Sequence, residues 1–165
     1  GPHIDALAKV GNPDAIEFPR PLLEKGNFDF SFSGLKSAVL NYINGKQQKG
    51  ESICHEDVAA SFQKAITDVL VEKMKEAAHT LGETKIALAG GVSANSGLQR
   101  DLQAMCEEEG LTYLTAGSML ATDNAAMIGC RAYYMAQAGK FSNYTLNAKP
   151  SIPLGSDLWK GNQHD

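Results

Sequence analysis

The sequence predicts an α/β protein with at least partly parallel strand pairing, and three observations carry that prediction. Long segments repeat apolar residues every three or four positions. Short apolar runs lie between them and end at glycines. The resulting order of helix, strand, helix, strand, helix cannot be closed by tight hairpins, so the strands must be joined by crossovers.

The elements follow in order. Gly1-Pro2-His3 has no initiator Met and runs into a helical segment, Ile4 to Val10. From Gly11 to Asn27, Pro13, Pro19, Pro21 and Gly26 break any regular element. Phe28-Asp29-Phe30-Ser31-Phe32 alternates aromatic and polar residues, the pattern of a strand with one buried face. Leu35, Val39 and Tyr42 then have helical spacing from Ser33 to Tyr42, with Asn44-Gly45 as the stop and 46–51 as a polar loop. Val58, Phe62, Ile66, Val69, Leu70, Met74 and Ala77 mark a long amphipathic helix ending at Gly82. Lys85 to Ala89 reads as a short strand meeting Gly90-Gly91. Ser96 to Glu109 is a helix with Leu98, Leu102 and Met105 inward, and Leu111 to Leu114 is another strand. Thr122 is the expected N-cap of an Ala-rich helix from Asp123 to about Ala138. The chain after Gly139 is polar and interrupted by proline, as surface segments are. Three strands make a thin sheet for three long helices, so the chain reads as part of a domain whose opening strands lie outside it.

Composition narrows the function. In 165 residues, 43% are hydrophobic and 21% charged, enough to bury a core. The 15 Lys and Arg against 19 Asp and Glu give a net charge of −4, which argues against an unassisted, charge-driven grip on nucleic acid. No apolar run approaches the ~18 residues of a membrane span, and no signal-peptide pattern opens the chain. Cys54, Cys106 and Cys130 are far apart, as buried free thiols in a reducing cytosol would be.

Three motifs could carry chemistry. Leu88-Ala89-Gly90-Gly91-Val92-Ser93-Ala94-Asn95 takes a strand through a double glycine into a helix. That turn lets backbone approach a ligand, and the helix start offers N–H groups to a phosphate or sugar. The alternative is purely structural, with Ser93 or Asn95 as helix cap. Thr122-Asp123-Asn124-Ala125-Ala126-Met127 offers either a capping carboxylate or a metal ligand at the mouth of a cleft. One Asp cannot hold a metal, and His3, His55, His79 and His164 form no pair at helical spacing. Ser33-Gly34-Leu35-Lys36 has the Ser-x-x-Lys spacing of penicillin-recognising serine acyltransferases, but no Lys-Thr-Gly element accompanies it.

Taken together and in this order, the segments 28–36, 89–95 and 122–128 resemble the C-terminal half of the bacterial TsaD (YgjD, Gcp) family, the tRNA threonylcarbamoyladenosine transferases. The likeness runs from Gly1 to about Pro153, a C-terminal lobe at 1–153, and leaves 154–165 as a polar tail. It implies one lobe of an actin/Hsp70-like (ASKHA, ribonuclease-H-like) ATPase-type fold, with the N-terminal lobe elsewhere and nucleotide between the lobes. It also implies cytoplasmic transfer of threonylcarbamoyl from threonylcarbamoyl-AMP to N6 of the adenine 3′ of the anticodon, in tRNAs reading codons that begin with A. On this resemblance the older label of O-sialoglycoprotein endopeptidase is a misnomer. Gly1, Asp5, Gly90, Gly91 and Asn95 match the family's nucleoside- and nucleotide-binding positions, and Asp123 its metal-binding aspartate. The family's metal, iron or zinc, is completed by two histidines of an N-terminal His-x-x-x-His helix that this chain lacks; it would act as a Lewis acid or hold the substrate. The implied partners are tRNA and TsaB-like and TsaE-like subunits, and the chain alone is expected to be inactive. A noncatalytic adenosine-nucleotide or partner-binding module is the alternative.

Overall fold

A computed structural model describes residues 1–151 apart from Leu22, Leu23, Lys25, Ser118, Met119 and Lys149. The expected tail at 154–165 lies outside the described residues. The chain divides into two compact units, Gly1–Thr122 and Asp123–Asp165.

The first unit is organised by one long helix. Its elements are α1 (Pro2–Ala8), α2 (Ser33–Gln48), α3 (His55–Leu81), β1 (Lys85–Leu88), a short 3-10 turn at Gly91–Ala94, α4 (Ser96–Glu109) and β2 (Thr112–Thr115). At ~1.5 Å per residue, the 27 residues of α3 span about 40 Å and serve two cores. Near its C-terminal end, Leu70, Val71, Met74 and Ala78 pack with Ile86 of β1 and with Leu98, Leu102, Met105 and Cys106 of α4. Near its start, Val58, Phe62, Ala65 and Ile66 pack with Phe18 and with Leu35, Val39, Tyr42 and Ile43 of α2. The expected inward positions of α4 are all buried.

β1 and β2 pair in parallel, with Lys85 opposite Thr112 and Leu88 opposite Thr115. The crossover through α4 is what forces this direction, as the element order required. The described sheet therefore has two strands.

The expected strand at Phe28–Phe32 is not one. Among the described residues the segment pairs with no strand, and Phe32 becomes the N-cap of α2. The Asp29 carbonyl, and that of Asn27 just before the segment, are met by a side chain instead. Lys73 of α3, only 3% exposed, donates to the carbonyls of Asn27 (2.6 Å) and Asp29 and lies 5.3 Å from the Phe30 ring centroid. Alternation alone cannot say whether a ladder or a side chain will take those carbonyls.

Helix α2 also runs on through Asn44-Gly45 to Gln48. A single interior glycine costs only ~1 kcal/mol, and Ile43 gains burial against the Phe18–Leu35 cluster. The chain turns at Gly50 instead, where φ is +66°. The proline-rich stretch before α2 is strapped to the polar side of α3. Asn12 N–H donates to Asp57 (2.8 Å), Ile16 N–H to Ser61 Oγ (3.1 Å), Gly26 N–H to Glu76 (2.7 Å), and the Arg20 guanidinium to Asp68 (2.8 and 3.1 Å).

The second unit contains α5 (Ala125–Gln137). Its N-cap is Asn124 rather than the expected Thr122: Asn124 Oδ1 accepts from Met127 N–H at 3.1 Å. An amide oxygen reaches the third N–H of a helix from the capping position, so the helix begins two residues later than the sequence suggested.

Candidate functional site

The double-glycine turn follows β1 directly. Gly90 sits at φ 84°, ψ 173°, a conformation essentially reserved for glycine. A Cβ built at Gly90 or at Gly91 would meet nothing within 4 Å, so the turn is open to its surroundings. Gly91–Ala94 then coils as the 3-10 turn and Asn95 opens α4.

Asn95 is held on both sides of its amide. Its Oδ1 accepts from Leu98 N–H at 2.8 Å, which caps α4, and its Nδ2 donates to Gln63 Oε1 of α3 at 2.7 Å. The neighbouring helix-start group is also taken. Asp5 reaches from α1 to Ser96, accepting from its N–H at 3.2 Å and from its hydroxyl at 2.9 Å. Lys9, one turn along, lies 3.5 Å from Asp5. Burial works against the charge on Asp5. The Ser96 hydroxyl, the Lys9 ammonium and the Ser96 N–H outweigh it and hold the carboxyl below its ordinary value.

These bonds alter what the helix start can offer. The Ser96 and Leu98 N–H groups already have a carboxylate and an amide as partners, so α4 does not present them to a phosphate. What stays open is a cleft of about 250 Å³ beside them. Gly1, Ile4, Phe62, Gln63, Ile66, Thr67, Leu70, Val92, Asn95 and Leu98 line it. Apolar walls with a few polar groups suit a flat, partly polar ring better than a bare anion. The structure thus brings Gly1 and Asn95 into one cleft, sets Asp5 behind it against Ser96, and places Gly90 and Gly91 on the turn leading to it.

Asp123 belongs to the other unit, exposed and immediately before the Asn124 cap. Among the described residues no group of three His, Cys, Asp or Glu side chains comes together that could hold a metal ion. His79 pairs instead with Glu109 at 2.9 Å, joining the ends of α3 and α4. The described residues of this chain do not by themselves fit a metal. Ser33 and Lys36 are exposed on the first turn of α2, and no hydrogen bond joins them among the described residues.

The model of the family described as TsaD, tRNA N6-adenosine threonylcarbamoyltransferase, matches residues 1–130, a stretch that holds the cleft, the glycine turn and Asp123. The chain belongs to that family. A tRNA N6-adenosine threonylcarbamoyltransferase of Clostridioides difficile (strain 630) is 51% identical over 154 residues, 93% of this chain and 46% of that protein. One of Moorella thermoacetica is also 51% identical over 154 residues, covering 93% and 45%. One of Clostridium botulinum (strain 657 / Type Ba4) is 49% identical over 155 residues, covering 94% and 46%. The chain therefore spans about half the length of the TsaD relatives it matches. No described helix is long and apolar enough to cross a membrane.

Sequence reasoning missed Gln63 and Ser96, the partners that hold Asn95 and Asp5. Gln63 follows Phe62 on what reads as the polar flank of α3, and Ser96 reads as an ordinary first helical residue. Neither carries a local signal, because each acts across 32 or 91 residues of chain.

Proposed function

We propose that this chain forms the adenine-nucleotide half of a tRNA threonylcarbamoyladenosine transferase with an actin/Hsp70-like, ribonuclease-H-like architecture. The observation that carries this reading is the family match across 1–130, which includes every residue lining the cleft. The cleft takes the adenosine of threonylcarbamoyl-AMP. Asn95 offers its remaining amide N–H and lone pair, the Gly90-Gly91 backbone comes close to the sugar, and Asp5 stiffens the wall through Ser96 rather than touching the ligand first.

The reaction needs no nucleophilic side chain. The exocyclic N6 amine of the tRNA adenine 3′ of the anticodon attacks the carbamoyl carbon, and a C–N bond forms. The bond from that carbon to the phosphate oxygen breaks, AMP leaves with the electron pair, and the amine loses a proton. This chain contributes position: a held adenosine keeps the mixed anhydride in line for attack. Asp123 would offer one carboxylate to the iron or zinc ion that the family resemblance implies, and two histidines from outside the described residues would complete the site. The metal would act as a Lewis acid or hold the substrate. A net charge of −4 supports a tRNA grip supplied mostly by other parts of the protein and by TsaB-like and TsaE-like subunits. The setting is the cytoplasm, where tRNA is.

The test is transfer of labelled threonine to unmodified tRNA, with threonylcarbamoyl-AMP supplied. The chain is assayed alone, then with the N-terminal half of such a transferase and the partner subunits. Activity only after addition is the expected result. Activity of the chain alone would refute the shared metal site. Silence in both, with folded chain, would sink the transferase reading and leave a binding module.

A further inference from the structure

Gln63 lines the cleft and is the partner of Asn95, and its placement is tightly determined. The Leu98 N–H can only donate, so Asn95 must turn its Oδ1 toward it. That choice points Nδ2 at α3, where only an acceptor is useful, and Gln63 supplies Oε1 at 2.7 Å. The facing position on α4 is Gly97. A Cβ there would lie 2.5 Å from Gln63 Nε2 and 3.3 Å from Asn95 Oδ1, so any larger residue displaces the Gln63 amide. Gln63 and Asn95 both line the cleft.

We infer that Gln63 is a positioning residue for nucleotide binding: its Oε1 fixes the Asn95 amide, and Gly97 is small because that contact needs the space. This rests on the proposed reading of the cleft as an adenosine site. Two hydrogen bonds, one to backbone and one to Gln63, leave Asn95 a single amide orientation. Its free N–H and lone pair therefore meet the ligand already aimed. Without the Gln63 oxygen the cap bond still holds one end, but the amide plane can tilt and Nδ2 loses a partner.

The test uses the protein at the full length of its relatives and follows threonylcarbamoyl-AMP in the transfer assay, with ATP affinity by calorimetry and Tm by differential scanning. Gln63→Met removes the acceptor at similar volume and is expected to raise KM and weaken ATP about threefold to tenfold, the loss of one neutral hydrogen bond, with kcat little changed. Gln63→Glu keeps an oxygen facing Asn95 Nδ2 and should recover most of that loss. Gly97→Ala favours helix, so Tm should hold or rise while affinity falls, a split that a purely structural role would not produce. Finally, Gln63→Met should add almost nothing in an Asn95→Ala background, because Gln63 acts through Asn95. Additive losses, or wild-type affinity in Gln63→Met, would overturn the inference while leaving the adenosine site standing. A wild-type protein that binds no adenine nucleotide would overturn both.

Discussion

Asp5 shows how a side chain expected at a ligand site is instead bound into the structure. Its carboxylate is bound by the hydroxyl and N–H of Ser96, with Lys9 beside it, and its pKa is held below the ordinary value despite burial. A group depressed in the folded state contributes stability above its unfolded pKa of ~3.9 and loses it as pH falls through the lower folded value. Asp5→Asn should therefore destabilise the protein at pH 7, and the gap from wild type should close below about pH 4. Urea unfolding at both pH values decides it; an equal gap at both would mean that charge is not what Asp5 contributes. Gly90 makes a different demand. Its φ of 84° is the difficulty, since a Cβ would touch nothing. Gly90→Ala should cost about 1–3 kcal/mol in chemical denaturation through backbone strain alone.

Helix α3 does the work of several elements, so its substitutions report on different neighbours. The core it shares with α4 centres on Leu102, which is fully buried. Leu102→Ala should cost about 2–5 kcal/mol, because helix, sheet and helix cannot all close on the cavity. A loss well under 1 kcal/mol would mean the site collapses freely. Lys73 serves the opposite face, where its ammonium caps the carbonyls of Asn27 and Asp29. Lys73→Met keeps the stem and removes the donor, leaving two carbonyls short of a partner. Amide exchange in the segment 26–32 should accelerate while that of α4 stays unchanged. Unchanged exchange in 26–32 would show that the Phe30 and Phe32 rings, stacked at 6.4 Å, hold the segment without it.

For the molecule as a whole, a ligand that fits the cleft only when folded must raise the melting temperature. Adenine nucleotide at a hundredfold excess over Kd should stabilise the protein by about 2.7 kcal/mol. Guanine nucleotide should do less, and Asn95→Ala should remove most of the shift. Equal stabilisation by both nucleotides, or by inorganic phosphate, would point away from the cleft and toward a nonspecific anion site.

Much of this was legible in residue order. Apolar spacing located α3 and α4, an Ala-rich run after a capping residue located α5, and the run 85–95 announced a strand entering a glycine turn, because those signals are written in neighbouring residues. Three motifs in order carry the family, and the six candidate site residues rest on that resemblance. The failures share a cause. Phe28–Phe32 alternates like a strand, but a strand exists only when another backbone faces it, and here Lys73 of α3 took the carbonyls. Asn44-Gly45 looked like a stop, but burial of Ile43 outweighed a cost of ~1 kcal/mol. Helix identity, glycine turns and family were settled by local chemistry. The Asp5–Ser96 and Asn95–Gln63 bonds, which leave the cleft open and the helix start closed, were decided only where α1, α3 and α4 converge. Hydrogen bonds spanning 91 and 32 residues have no periodic trace in a chain.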